Sequence, residues 1–239
     1  MDGTLFQILA LAPALVFAIV FHEVAHGWTA LALGDPTAKE RHRLSLNPLR
    51  HVDPIGTLVL PGVLLLAGAP AFGWARPVPV IQQRLRNPRF GMMAVAAAGP
   101  LTNLVMAALG AVAIGVLVRG GNPPDASVGG FALLGLTFFM LINVFLAFFN
   151  LLPIPPFDGS HIVEGVLPRS AASAYRRLRP VGMVLFLGLV ALTWYGPTSG
   201  VLDHLIGPPV YWMLERFDGL TRVVSGGNSI PGIDSFISG

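Results

Sequence analysis

His22-Glu23-Val24-Ala25-His26 sets two imidazoles four residues apart with a carboxylate beside the first. On an α-helix, positions i and i+4 share one face, so both rings can reach one metal ion. Glu23 stands where it could take a proton from water activated by that metal, which is the chemistry of metal-assisted hydrolysis. A catalytic site of this kind usually holds three protein ligands and an open position, so a third donor is needed. The best-placed candidate is Asp158, in the stretch Asn150-Leu-Leu-Pro-Ile-Pro-Pro-Phe-Asp158-Gly159, held by a proline-rich turn before a glycine. Its alternative role is to cap a helix that starts near Ser160. His161 and Glu164 rank behind it and read more simply as an exposed pair. His42 and His51 sit among arginines and read as interface groups.

The elements that must carry these residues are apolar. Of 239 residues 54% are hydrophobic and 11% charged, against roughly 25% charged in a soluble domain. Long apolar runs hold most of the excess, and about 20 such residues suffice to cross a bilayer. The expected fold is an all-α polytopic membrane protein with about four to six transmembrane helices and a re-entrant loop or β-hairpin. One transmembrane metalloprotease domain is expected over residues 1–224. Its helices run over about 4–33, 91–118, 131–152 and 181–196, and a short one over about 208–220 lies at the interface or returns through the membrane. Residues 55–70 form the re-entrant segment, 73–80 an extended stretch, and 225–239 a flexible tail. Residues 1–10 lack a basic leader and no small-residue cleavage site ends the first apolar run, so no signal peptide is expected.

The absence of cysteine excludes disulfides and thiolate metal sites. The basic residues flank apolar segments without interleaved aromatics, which points to a membrane interface and away from nucleic acid. They also orient the chain. Lys39, Arg41, Arg43 and Arg50 precede the segment at 55–70, and Arg76, Arg84, Arg86 and Arg89 follow it. The tendency of basic loops to stay in the cytoplasm puts both flanks on that face, so the segment between them enters and leaves on one side. The N-terminus and the loop at 119–129 then lie outside, and 153–180 inside. Counting from His26 to Leu33 at 1.5 Å per residue sets the metal about 10–14 Å deep and open to the cytoplasm.

His22–His26 with Gly27, Gly99-Pro100-Leu101-Thr102-Asn103, and Asn150 through Gly159 together resemble the site-2 protease family of intramembrane metalloproteases. Asp53-Pro54-Ile55-Gly56-Thr57 and Gly73 through Val80 are similar to its compact bacterial and archaeal members. The likeness spans about residues 15–165, with these motifs in one order. It implies one zinc ion per chain on His22, His26 and Asp158, Glu23 as general base, and Asn150 and Asn103 in contact with substrate or polarising its carbonyl. It also implies a prokaryotic cell membrane and a transmembrane protein as substrate. Nothing within these residues has room for a PDZ or CBS domain.

A substrate helix must unwind before its carbonyls can be reached, and pairing with an enzyme strand would offset that loss. In an extended stretch over 76–80, Pro77 and Pro79 lack donors on one edge, while the N–H groups of Arg76, Val78 and Val80 share the other. A metal transporter or channel would need donors strung along a path through the bilayer, whereas here they converge at one depth. An inactive scaffold would have no use for Glu23.

Overall fold

The computed structural model describes residues 3–59, 62, 63, 66, 75–121, 127–195 and 200–237. The first helix, α1, is Gly3–Ala32. It ends at Gly34, whose φ of 108° suits a residue without a Cβ. A four-residue helix, α2, covers Thr37–Glu40. Asn87 accepts from the Phe90 N–H and Pro88 occupies the first turn, which starts α3, Pro88–Leu117. Ser127 caps α4, Val128–Asn150, in the same manner. The chain continues through α5 (Asp158–Val166), α6 (Arg169–Arg176), α7 (Gly182–Tyr195), α8 (Val201–Ser225) and the short α9 (Asp234–Ile237). No β-strand occurs among the described residues, and three helices there, α1, α3 and α4, are long and apolar enough to cross a membrane.

Those three helices pack on one another, with α8 against α3 and α4 and α5 against α3. Small residues make the approach close. Ala10, Ala14 and Ala18 line the buried stripe of α1, and Gly99, Ala107, Gly110 and Ala111 that of α3. The opposite stripe of α3, Leu101, Val105, Leu109, Val112 and Val116, is exposed. An apolar stripe turned outward at helical spacing suits lipid as its solvent.

The expected re-entrant segment 55–70 and the start of the 73–80 stretch fall largely outside the described residues. Within them, Pro54–Val59 forms a single π-helical turn. The segment expected at 208–220 is part of the longer α8, with Pro208 and Pro209 inside it. The tail expected to be flexible is instead packed. Ile230 and Ile233 are each 1% exposed in a cluster with Ala111, Ile114, Leu214 and Phe217. The Asp218 carboxylate accepts the Ile230 N–H, and the Asn228 amide donates to the Val118 carbonyl. Few apolar residues in a polar stretch suggested disorder, but two isoleucines with satisfied backbone suffice to dock it.

Candidate metal centre

His22 and His26 lie on the buried face of α1 and Asp158 at the first position of α5. The Nε2 atoms of the two histidines are 3.0 Å apart, and Asp158 Oδ2 stands 3.1 Å from His22 Nε2 and 3.3 Å from His26 Nε2. These separations match the edges of a tetrahedron around a zinc ion, about 3.3 Å for ligands about 2 Å from the metal.

What faces inward can be deduced from the outer hydrogen bonds. Asn143 Nδ2 donates to the Phe139 carbonyl, which turns Asn143 Oδ1 toward Asn103. Asn103 Nδ2 donates to that oxygen and to the Ala18 carbonyl. Asn103 Oδ1 is therefore the acceptor 2.6 Å from His22 Nδ1, and His22 carries its proton there. His26 Nδ1 donates to the Val95 carbonyl at 2.7 Å, in the turn of α3 that Pro100 loosens. With each ring neutral, as a metal ligand must be, both Nε2 atoms thus present bare lone pairs to each other and to the carboxylate. Asp158 Oδ2 is buried with no hydrogen bond. Three lone-pair donors at these distances repel unless a cation lies among them, so the donor set fits a divalent metal.

Gly99 makes the room. A Cβ there would lie 2.6 Å from His22 Cε1 and from His26 Cε1 and Nε2. The turn before Asp158 is anchored by Phe157, whose ring packs 4.7 Å from Phe149 and 4.9 Å from Phe186. At Gly159 a Cβ would sit 2.5 Å from the Leu151 carbonyl carbon, so glycine lets the turn fold back onto the end of α4. Phe157, not Asp158, is the residue that precedes α5, and Asp158 makes no capping hydrogen bond.

His161 and Glu164, the other candidates for third ligand, are engaged elsewhere. Glu164 pairs with Arg176 at 3.2 Å and Arg179 at 2.5 Å, and Arg179 also lies 3.2 Å from His161 Nδ1. Burial, and then the Arg179 charge, hold His161 below the ordinary histidine pKa. Asn103, expected to meet substrate, is fully buried with both its nitrogen and its oxygen engaged, the oxygen accepting from His22. Asn150 donates to the Leu146 carbonyl of its own helix.

Glu23 stands outside the donor triad and is half-buried, its Oε2 accepting the Val78 N–H at 2.7 Å. Val78 packs over Gly27, where a Cβ would lie 2.9 Å from Val78 Cγ1. The Arg76 N–H donates to the His51 carbonyl. In this arrangement the edge expected to be open has two of its donors, Arg76 and Val78, engaged within the chain, and residues 75–80 form no ladder. The reason is local. The segment is tied along the end of α1, with the Ile81 N–H on Asp35 at 2.6 Å and the Arg86 N–H on the Leu33 carbonyl at 2.9 Å. Burial raises the Asp35 pKa, but hydrogen bonds from Thr37 and Ile81 outweigh it and leave the carboxyl below its ordinary value. Asn143 and the Val95 carbonyl were missed in the sequence, and Gly99 was read only as part of a motif. Asn143 left a signal, as an amide within an apolar helix.

Comparison with known proteins gives the family. The model of peptidase family M50 matches residues 125–192. The chain is 36% identical over 193 residues to the protein named "Putative zinc metalloprotease YwhC" of Bacillus subtilis, covering 79% of this chain and 85% of that one. The chain belongs to peptidase family M50. Like that family it is a metallopeptidase, of the site-2 protease type. Another M50 relative, "Putative zinc metalloprotease Rip2" of Mycolicibacterium smegmatis, is 30% identical over 224 residues, covering 93% of this chain and 79% of its own. No solved structure matches the chain.

Proposed function

We propose that this M50 peptidase is an intramembrane zinc metalloendopeptidase that hydrolyses peptide bonds in or near transmembrane segments of other proteins. The observation that carries the reading is the convergence of two Nε2 atoms and a buried carboxylate oxygen, 3.0 to 3.3 Å apart, between helices apolar enough to span a bilayer. His22, His26 and Asp158 would hold the zinc. Bound there, zinc would polarise the scissile carbonyl and acidify the attacking water. Glu23, adjacent to the ligands but outside the triad, accepts the proton from that water and returns it to the leaving amine. The Val78 N–H keeps the Glu23 carboxylate in place until substrate arrives. Asn150, at the end of α4 beside the turn that carries Asp158, contacts the unwound substrate. Arg76, Val78 and Val80 pair with it as a strand, which requires Arg76 and Val78 to release His51 and Glu23. The active site opens toward the cytoplasm, on the side of the basic flanks.

The test is cleavage of a panel of single-span membrane proteins by the purified chain, with zinc content measured in parallel. Cleavage should stop with a chelator and return with zinc. Glu23→Gln should keep about one zinc per chain and lose at least a hundredfold in rate, the lower end of what a general base supplies. Near-normal cleavage by Glu23→Gln would remove Glu23 from the proton transfer. Cleavage that ignores the chelator would remove the metal.

A further inference from the structure

Beyond α2 the chain folds into a cationic cavity of about 240 Å³, against about 30 Å³ for one water. Arg41, His42, Arg43, Arg50 and Arg76 line it, with Leu49 and Val52. None of its four arginines forms an ion pair among the described residues, whereas Arg84, Arg176, Arg179 and Arg222 each have a carboxylate within 4 Å. Arg43 is only 9% exposed, and its Nε is buried without a hydrogen-bond partner. Its terminal nitrogens are spent on the Arg50, Arg76 and Pro77 carbonyls, which fix the guanidinium in place. Burial, and then the neighbouring Arg76 charge, lower the Arg43 pKa, while Glu23 acts in the opposite direction. Like charges gathered with one buried donor unmet are destabilising on their own and are relieved by an anion.

We infer that this cavity is a binding site for a phosphate group, coordinated by Arg41, Arg50 and Arg76, with Arg43 adding a fixed, buried positive charge. Guanidinium forks match phosphate oxygens two at a time, and three of them exceed what a carboxylate could use. In sequence the arginines of the cavity follow α1 and α2, the position at which juxtamembrane arginines meet phospholipid headgroups. Leu49, 78% exposed, is part of the lining and offers an apolar rim. The phosphate is therefore that of an anionic lipid or of a soluble phosphate compound. Arg43 also holds the Arg76 and Pro77 carbonyls, so an occupied site would brace the segment that meets Glu23 through Val78.

Thermal unfolding of the full chain, followed by circular dichroism, separates the sources. One arm compares inorganic phosphate with sodium chloride at equal ionic strength in a non-ionic detergent. The other compares phosphatidylcholine nanodiscs with and without phosphatidylglycerol. A site for the group requires a higher midpoint in at least one arm beyond its control. A gain from phosphate alone assigns a soluble ligand, from phosphatidylglycerol alone a lipid, and from both the shared phosphate. In Arg41→Gln/Arg50→Gln the apparent affinity should fall about 25-fold, about fivefold for each charge removed. The side chain of Arg50 is bonded only to the exposed His42 carbonyl. Arg41→Gln alone removes a charge and decides the matter should the double variant not fold. No gain in either arm, an equal gain from chloride, or a gain that survives the substitutions would overturn the assignment.

Discussion

At the scale of single residues, the histidine pair could be read from spacing alone, because the i, i+4 rule holds wherever a helix forms. Which nitrogen faces the metal could not. That depends on Asn103 and Asn143, on two other helices, and on the carbonyls of Ala18 and Phe139. The burial of Asn103 was not legible either, because a sequence does not say which amide is buried. A role in holding His22 has its own test. Asn103→Ala removes the acceptor for His22 Nδ1–H and lets the ring turn or change tautomer, so zinc affinity should fall about 10–100-fold, as for other partners of metal-bound histidines. Competition with a chromogenic chelator measures this. Unchanged affinity with a raised KM for substrate would return Asn103 to the binding surface.

At the scale of elements, α1, α3, α4 and α7 were legible as apolar runs, with ends displaced by a few residues where caps at Asn87 and Ser127 begin α3 and α4 earlier. The less apolar α8 was legible only in part and the placement of α5 was not. The position of α5 rests on Gly159 fitting against the end of α4, on Phe157 in an aromatic cluster, and on Arg89 of α3 donating to the Gly165 and Leu167 carbonyls at its other end. Gly159→Ala should force backbone apart rather than a flexible side chain. A loss of about 3 kcal/mol in stability is expected, together with weaker zinc binding as Asp158 is displaced. Denaturation of the variant with and without zinc distinguishes the two effects, and a variant equal to wild type in both would mean the turn is looser than it stands here. The packed C-terminal segment is a second case. Ile230→Ala and Ile233→Ala should each destabilise by about 2–5 kcal/mol, the usual range for a buried isoleucine, and unchanged melting would restore the flexible tail.

At the scale of the whole molecule, what remains to be decided is the side on which the chain's segments lie. The charge pattern argued that both flanks of residues 55–70 share one face, and the described structure gives an independent reason. Residues 76–86 do not stand apart from α1. Val78 bonds Glu23, Ile81 bonds Asp35 and Arg86 bonds Leu33, while Arg84 reaches Thr37 and Glu40. Residues 43–51 are joined to the same segment through Arg43 and His51. A segment tied to the last turns of α1 cannot lie across a bilayer from the residues that follow that helix. Then α3, 30 residues and about 45 Å long, carries the chain to the opposite face before Val128. The protein has no cysteine, so introduced ones report without background. Leu46→Cys and Gln83→Cys, both at exposed positions, should react with an impermeant maleimide from one side, the cytoplasmic one, and Val128→Cys from the other. Labelling of 46 and 83 from opposite faces would break the tie between the basic flanks and the end of α1. Labelling of both from outside would keep that tie and reverse the orientation, opening the metal centre away from the cytoplasm.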